Sequence, residues 1–175
     1  MALEHALLVS LSERPASGLE LSRRFGRSIG FFWSATHQQI YRTLAKMEEG
    51  GLVSVTTVTQ TGRPDMKVYE PTDAGRDELA QWLATPSGPD AFRSDLAVRM
   101  RGASYGDIAA VLDIVKEHLA DHQTRLAAYE AMQARDYPQP DQLTGADLDR
   151  YLVLRGGILM EQGWIAWLTE YLDAH

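Results

Sequence analysis

Apolar and polar positions along the chain follow two different periods, and the switches between them mark out its elements. Residues 2–13 place Leu3, Ala6, Leu7, Val9 and Leu11 in a mostly buried helical pattern, which Pro15 and Gly18 end. A short helix is predicted over 18–25, with Leu21 and Phe25 four apart; a glycine-containing turn with Phe31, Phe32 and Trp33 follows, and then a third helix over 36–49. In this helix Ile40, Leu44 and Met47 fall at i, i+4 and i+7 on one narrow apolar stripe, while Gln38, Gln39, Tyr41, Arg42, Ala45 and Lys46 occupy the other side. Thr36 and Gln39 match a T-x-x-Q capping box at its start, and Gly50 and Gly51 can reach the left-handed conformation that a C-cap needs. The period then changes to that of strands. "LVSVTTVTQ" (52–60) and "MKVYEPT" (66–72) flank the turn residues "TGRPD", which reads as a hairpin whose second strand is expected to end early at Glu70-Pro71. Thr72 caps a helix over 73–84 with Leu79, Trp82 and Leu83 expected to face inward.

"TPSGPD" (85–90) carries two prolines and a glycine and opens a linker over 85–92. Beyond it the spacing predicts a short helix at 93–101 and two long ones, about 105–135 and 145–173. In the first of these Ile108, Leu112, Val115, Leu119, His122, Leu126 and Tyr129 step alternately by 4 and 3, the seam of a helix that pairs along its length. A rod of that length, about 46 Å at 1.5 Å per residue, is too long for one small domain to cover. The seam is therefore expected to make a dimer interface, joined by Ile158, Ile165 and Leu168 of the last helix. The expected architecture is mainly α with a small β-hairpin: an N-terminal unit at 1–84, the linker, and a helical unit at 93–175.

Composition changes this picture little, but charge does. The chain has 175 residues, 45% of them apolar, with no cysteine, which removes disulfides and thiolate metal sites. No stretch approaches a membrane span, and the start "MALEHALLVSLSERP" lacks a basic leader region, so a cytoplasmic protein is expected. The net charge of −7 argues superficially against nucleic acid. Its distribution argues the other way: residues 14–67 hold eight Lys/Arg against four Asp/Glu, whereas 85–175 hold eight against fourteen.

Three helices followed by a hairpin with an arginine at its turn is the order of a winged helix-turn-helix. The apolar stripe of the third helix would seat it on the first two, leaving Thr36, Gln38, Gln39, Tyr41, Arg42 and Lys46 outward. Those residue types suit the major groove: glutamine engages an adenine edge, while Arg, Lys, Tyr and Thr reach phosphates or guanine. Arg63 and Lys67 sit where a wing would meet the DNA backbone or minor groove.

"FFWSATHQQIYRTLAKMEEGGLV" followed by "GRPDMKVYEPTDAGRDELAQWL" resembles the PadR family of bacterial transcriptional regulators. The shared features are the aromatic lead-in, Ile-Tyr on the recognition helix, Glu-x-Gly-Leu-Val at its end, Lys-Val-Tyr on the second wing strand and Thr-x-x-Gly-Arg opening the fourth helix. The helical half is similar, in pattern and length, to the subfamily that dimerises through a C-terminal extension. The resemblance implies a homodimer on double-stranded DNA, commonly a repressor on a palindromic operator and sometimes relieved by a small effector. It carries the recognition role to Gln38, Gln39, Tyr41 and Arg42 and the wing role to Arg63 and Lys67. The alternative from another class is a protein–protein adaptor whose winged helix only packs.

Other constellations point less far. Trp164, Trp167 and Tyr171 share a face of the last helix and, with Trp33, could line a pocket for a flat aromatic effector, although such a stripe is more often core. His118 and His122 have chelating i, i+4 spacing, but no third ligand is marked, so no metal or cofactor is expected. His122 reads instead as the one polar member of the seam, where a buried polar group fixes register at a cost in stability; on that reading His122→Leu should raise thermal stability. Gly156 and Gly163, seven apart, mark a close helix crossing. No nucleophile–base arrangement or phosphate-cradling glycine loop stands out, and an enzyme is not expected.

Overall fold

Helix caps set most of the element boundaries in the computed structural model, which describes residues 2–25, 35–59, 62, 65–88 and 93–175. The chain divides into two units, 1–89 and 90–175. In the first, helix α1 (Ala2–Glu13) buries Leu7, Leu8 and Leu11, and α2 (Gly18–Phe25) adds Leu21 and Phe25. Helix α3 (His37–Glu49) turns Ile40, Leu44 and Met47 onto both, each no more than 1% exposed. The Thr36 cap is reciprocal: Gln39 N–H donates to Thr36 Oγ1 at 3.2 Å and Thr36 N–H to Gln39 Oε1 at 2.8 Å. At the other end Gly51 takes φ +71°, and Leu52 N–H reaches back to Met47 O at 2.9 Å.

The hairpin strands β2 (Val53–Val58) and β3 (Met66–Pro71) pair antiparallel from Val53↔Pro71 to Val58↔Met66. A two-residue strand β1 (Ala16–Ser17), which the sequence reading treats as a helix break, pairs with Tyr69 and Val68 and makes β3 the central strand. The expected early end at Glu70-Pro71 is corrected: Pro71 is buried and inside the strand. Proline is tolerated there because β1 reaches only to Tyr69, so Pro71 has a ladder neighbour on one side alone.

Helix α4 (Asp73–Ala84) lies antiparallel on α1, with Leu8 beside Gly75 and His5 beside Glu78 and Trp82. That progression carries Leu83 past the first turn of α1, where it is 65% exposed, and leaves Trp82 41% exposed with its ring stacked on His5. Of the three residues expected to face inward, only Leu79 joins the core.

In the second unit α5 (Asp95–Gly102) is followed by a 3-10 turn (Ala103–Tyr105), and two 29-residue helices, α6 (Ile108–Asp136) and α7 (Gly145–Asp173), pair with each other. Their contacts run in opposite directions: His122 meets Glu161, Gln133 meets Arg155 and Tyr137 meets Tyr151. The expected intermolecular seam is therefore an intrachain one. Val115, His122 and Tyr129 on α6 and Ile158 and Leu168 on α7 are buried within the single chain, with Leu112, Leu119, Leu126 and Ile165 half-buried beside them. Ile108, the first residue of α6, is 41% exposed because Asp107 caps the helix there, before it reaches its neighbours. The heptad pattern reported correctly that α6 pairs along its length; its partner is the next helix of the same chain. Among the described residues no helix is long and apolar enough to cross a membrane.

Candidate nucleic-acid interface

The side of α3 opposite Ile40, Leu44 and Met47 is exposed throughout: Thr36, Gln38, Gln39, Tyr41, Arg42 and Lys46 all lie on it. Its two cations are four residues apart, so they stand one turn above the other. The face is not uniformly available. Thr36 Oγ1 and Gln39 Oε1 are engaged in the cap, which leaves the amide nitrogen of Gln39 as the part of that side chain able to donate to a ligand. Gln38 and Arg42, again four apart, share one strip of the face with Lys46.

On β3, Lys67 is exposed and lies 3.5 Å from Glu48 Oε2 of α3, an exposed pair that contributes little to stability and can exchange its partner for a phosphate. Arg63, Phe31, Phe32 and Trp33 lie outside the described residues. Also on β3, Tyr69 is buried in the N-terminal core, and burial pushes its phenol above the ordinary range.

Two supports of this surface lie outside the residues that the sequence analysis singles out for it. The start of α2 carries its own capping box: Ser17 N–H donates to Glu20 Oε2 at 2.9 Å and Glu20 N–H to Ser17 Oγ at 3.3 Å. The Ser17 backbone N–H, and then the Ser17 hydroxyl donating to the same Oε2 at 3.1 Å, hold the Glu20 carboxyl below its usual range, with Arg24 and Arg14 adding to the effect. The S-x-x-E spacing was the signal that could have revealed it. The second support is Gly18, the next residue, over which the ring of Tyr41 lies.

Trp33 lies outside the described residues, and the other residues considered for an effector do not share one enclosed site. Trp164 and Trp167, with Met160 and Gly163, line an open apolar groove on α7. The Tyr171 hydroxyl is already committed to Met100 O at 3.0 Å. Trp164 stacks on His122, whose Nδ1 faces Glu161 Oε2 at 2.5 Å; His118, four residues earlier, is exposed on the outer side of α6.

The comparisons with known proteins divide the chain in the same way. Residues 7–81 match the model of the transcriptional regulator PadR-like family, and residues 92–175 match the virulence activator alpha C-terminal model. A probable transcriptional regulator of Mycobacterium tuberculosis is 50% identical, over 99% of this chain and 97% of its own length. The negative transcriptional regulator PadR of Bacillus subtilis is 29% identical over 97% and 95%. Among solved structures, the Vibrio cholerae virulence activator AphA superposes with a TM-score of 0.80 at 32% identity, covering 98% of this chain and 96% of that one. Bacillus subtilis PadR in complex with operator DNA does so with a TM-score of 0.86 at 25% identity, covering 99% of each.

Proposed function

The chain belongs to the PadR-like family of transcriptional regulators, and from that premise we propose that it is a homodimeric, sequence-specific DNA-binding repressor. The N-terminal unit reads the operator and the helical unit makes the dimer. The observation that carries the reading is the outward face of α3, where Gln38, Tyr41, Arg42 and Lys46 are exposed together on a helix anchored by three fully buried apolar residues. The likeness to PadR solved on operator DNA supports DNA binding by this chain. The repressor sign follows the relative named a negative regulator, and its physical basis is simple: a dimer seated on a promoter excludes polymerase.

Arg42→Ala is expected to weaken binding to the chain's own promoter region about tenfold or more, the loss of a charge-assisted phosphate contact in each half-site. The slope of log affinity against log salt should also fall, by about 0.9 for each phosphate contact removed. Fluorescence anisotropy over a salt series measures both; an unchanged affinity and slope would assign the binding to another face.

With the α6 seam used internally, the dimer surface is the stripe that α7 leaves outward. Leu152, Val153, Leu159, Met160 and Trp167 are each more than a third exposed. With Gly156 and Gly163 they fall within about 120° of the helix circumference, turned away from the buried Leu154, Ile158 and Leu168. The two glycines allow a second α7 to approach closely, and a two-fold axis through that crossing pairs each stripe with itself. Met160→Ala removes two buried side chains per dimer and should raise the dimer dissociation constant about tenfold. Sedimentation equilibrium reads the change; dimers as tight as wild type would place the interface elsewhere.

A further inference from the structure

We propose that Gly18 is a positioning residue for DNA recognition: by lacking a Cβ it lets the ring of Tyr41 lie against the start of α2, and this contact fixes Tyr41 for a phosphate. The inference rests on the DNA-binding reading above and adds to it a residue outside the recognition helix.

A Cβ added to Gly18 would sit 2.5 Å from Tyr41 Cε1, 2.8 Å from Cζ and 3.1 Å from Cδ1, so one edge of the ring occupies the place of the missing side chain. Gly18 is buried as a result, while Tyr41 stays 46% exposed. The contact joins three elements that a winged helix must hold in register. Gly18 follows Ser17, whose strand pairs with Val68 of the wing; Tyr41 is on α3; and Tyr69, beside Val68, lies within electrostatic reach of the Tyr41 phenol. A half-exposed tyrosine on an open helix face would otherwise sample several rotamers, and ordering it on binding would cost affinity. Held against Gly18, it is already ordered.

The colliding atoms belong to the far end of a side chain with an exposed flank, so Gly18→Ala should swing the ring away and leave the fold intact. Gly18 has no unusual backbone requirement, since its φ is not positive, and alanine at a helical position is intrinsically favourable. In the absence of Tyr41 the same substitution should therefore be harmless.

The experiment measures promoter DNA affinity and salt dependence for the full-length wild type, Gly18→Ala, Tyr41→Phe and the double variant, with Tyr41→Ala and Gly18→Ala/Tyr41→Ala as a second pair. Expected are losses of about tenfold for Gly18→Ala and for Tyr41→Phe, the scale of one hydrogen bond to a charged group, with the double variant no worse than either. The salt slope should match wild type in all of them, because a phenol releases no counterion, which separates this effect from that of Arg42→Ala. In the Tyr41→Ala background Gly18→Ala should change nothing. In the DNA-free protein, Gly18→Ala should shift the ring resonances of Tyr41 by NMR. Wild-type affinity in Gly18→Ala, additive losses, or unmoved Tyr41 resonances would each overturn the role of Gly18 while leaving DNA binding in place. A wild type that binds no promoter DNA, with the Tyr41 resonances still responding to Gly18→Ala, would overturn the DNA-binding reading and the recognition role that rests on it.

Discussion

Gly75→Ala is expected to destabilise the N-terminal unit by about 3 kcal/mol, the upper part of the range for overpacking a tight core, and to lower its melting temperature by about 15 °C. Gly75 lies in the first turn of α4, where a Cβ would collide with Leu52 O and sit 3.0 Å from the Leu52 carbonyl carbon and 3.3 Å from Leu8 Cδ2. Unlike the tyrosine ring over Gly18, the obstacle is main chain. Leu52 O accepts from Thr72 N–H at 3.0 Å, Thr72 Oγ1 donates to Gly51 O at 2.6 Å, and Gly75 N–H donates to Thr72 Oγ1 at 3.1 Å. The end of α3, the start of β2 and the cap of α4 thus form one hydrogen-bonded knot, and the added methyl can be accommodated only by breaking part of it. Calorimetry of the full-length protein measures the loss. A shift of less than about 0.5 kcal/mol, the ordinary range for a surface change, would show that α4 can move off Leu52 freely.

The Thr-x-x-Gly-Arg motif was legible in the sequence, but the reason for its glycine was not, because Leu52 lies 23 positions away and no local pattern reports that approach. The same distinction separates the rest of what could be read from what could not. Helix α3 was plain because its stripe, its capping box and its terminal glycines are all local signals that agree. The outward face followed from it, since a helix with three buried positions has only one side left. Spacing gave Gln39 both to the cap and to the outward face; what it could not show was how the side chain divides, its carbonyl oxygen closing the cap and its amide nitrogen left outside that bond. Strand β1 escaped because two residues carry no period; its existence depends on Tyr69 and Val68, about fifty residues on. For α6 the period was real, and the next helix of the same chain packs along it. A seam at 4 and 3 spacing specifies a neighbour along its length, and nothing in it distinguishes a second chain from the next helix after a short turn. The dimer surface proposed on α7 was less visible, because two glycines interrupt its apolar pattern.

The corrected seam also reverses the expected sign of a substitution: His122→Leu should now lower thermal stability, by about 2 kcal/mol or some 10 °C, where the sequence alone suggests a gain. As a lone polar residue among leucines, His122 would cost stability. It is not alone. Its Nδ1 meets Glu161 Oε2 at 2.5 Å, its ring stacks on Trp164 at 4.9 Å, and Arg125 Nε donates to Glu161 Oε1 at 3.2 Å. The Glu161 side chain is only 12% exposed, so leucine at 122 leaves a nearly buried carboxylate with one partner. That remaining partner, Arg125, is 47% exposed and partly screened, and cannot replace what the imidazole supplied. Removing one member of a buried pair costs more than the pair contributes, because the other member stays behind without compensation. The companion variant follows from the same argument. His122→Leu/Glu161→Leu removes both buried groups, leaves Arg125 to solvent and should recover most of the lost stability, melting within a few degrees of wild type. If the single variant instead melts at or above the wild-type temperature, Glu161 is adequately solvated without His122, and the histidine is the costly register-fixing residue that the heptad pattern alone suggests.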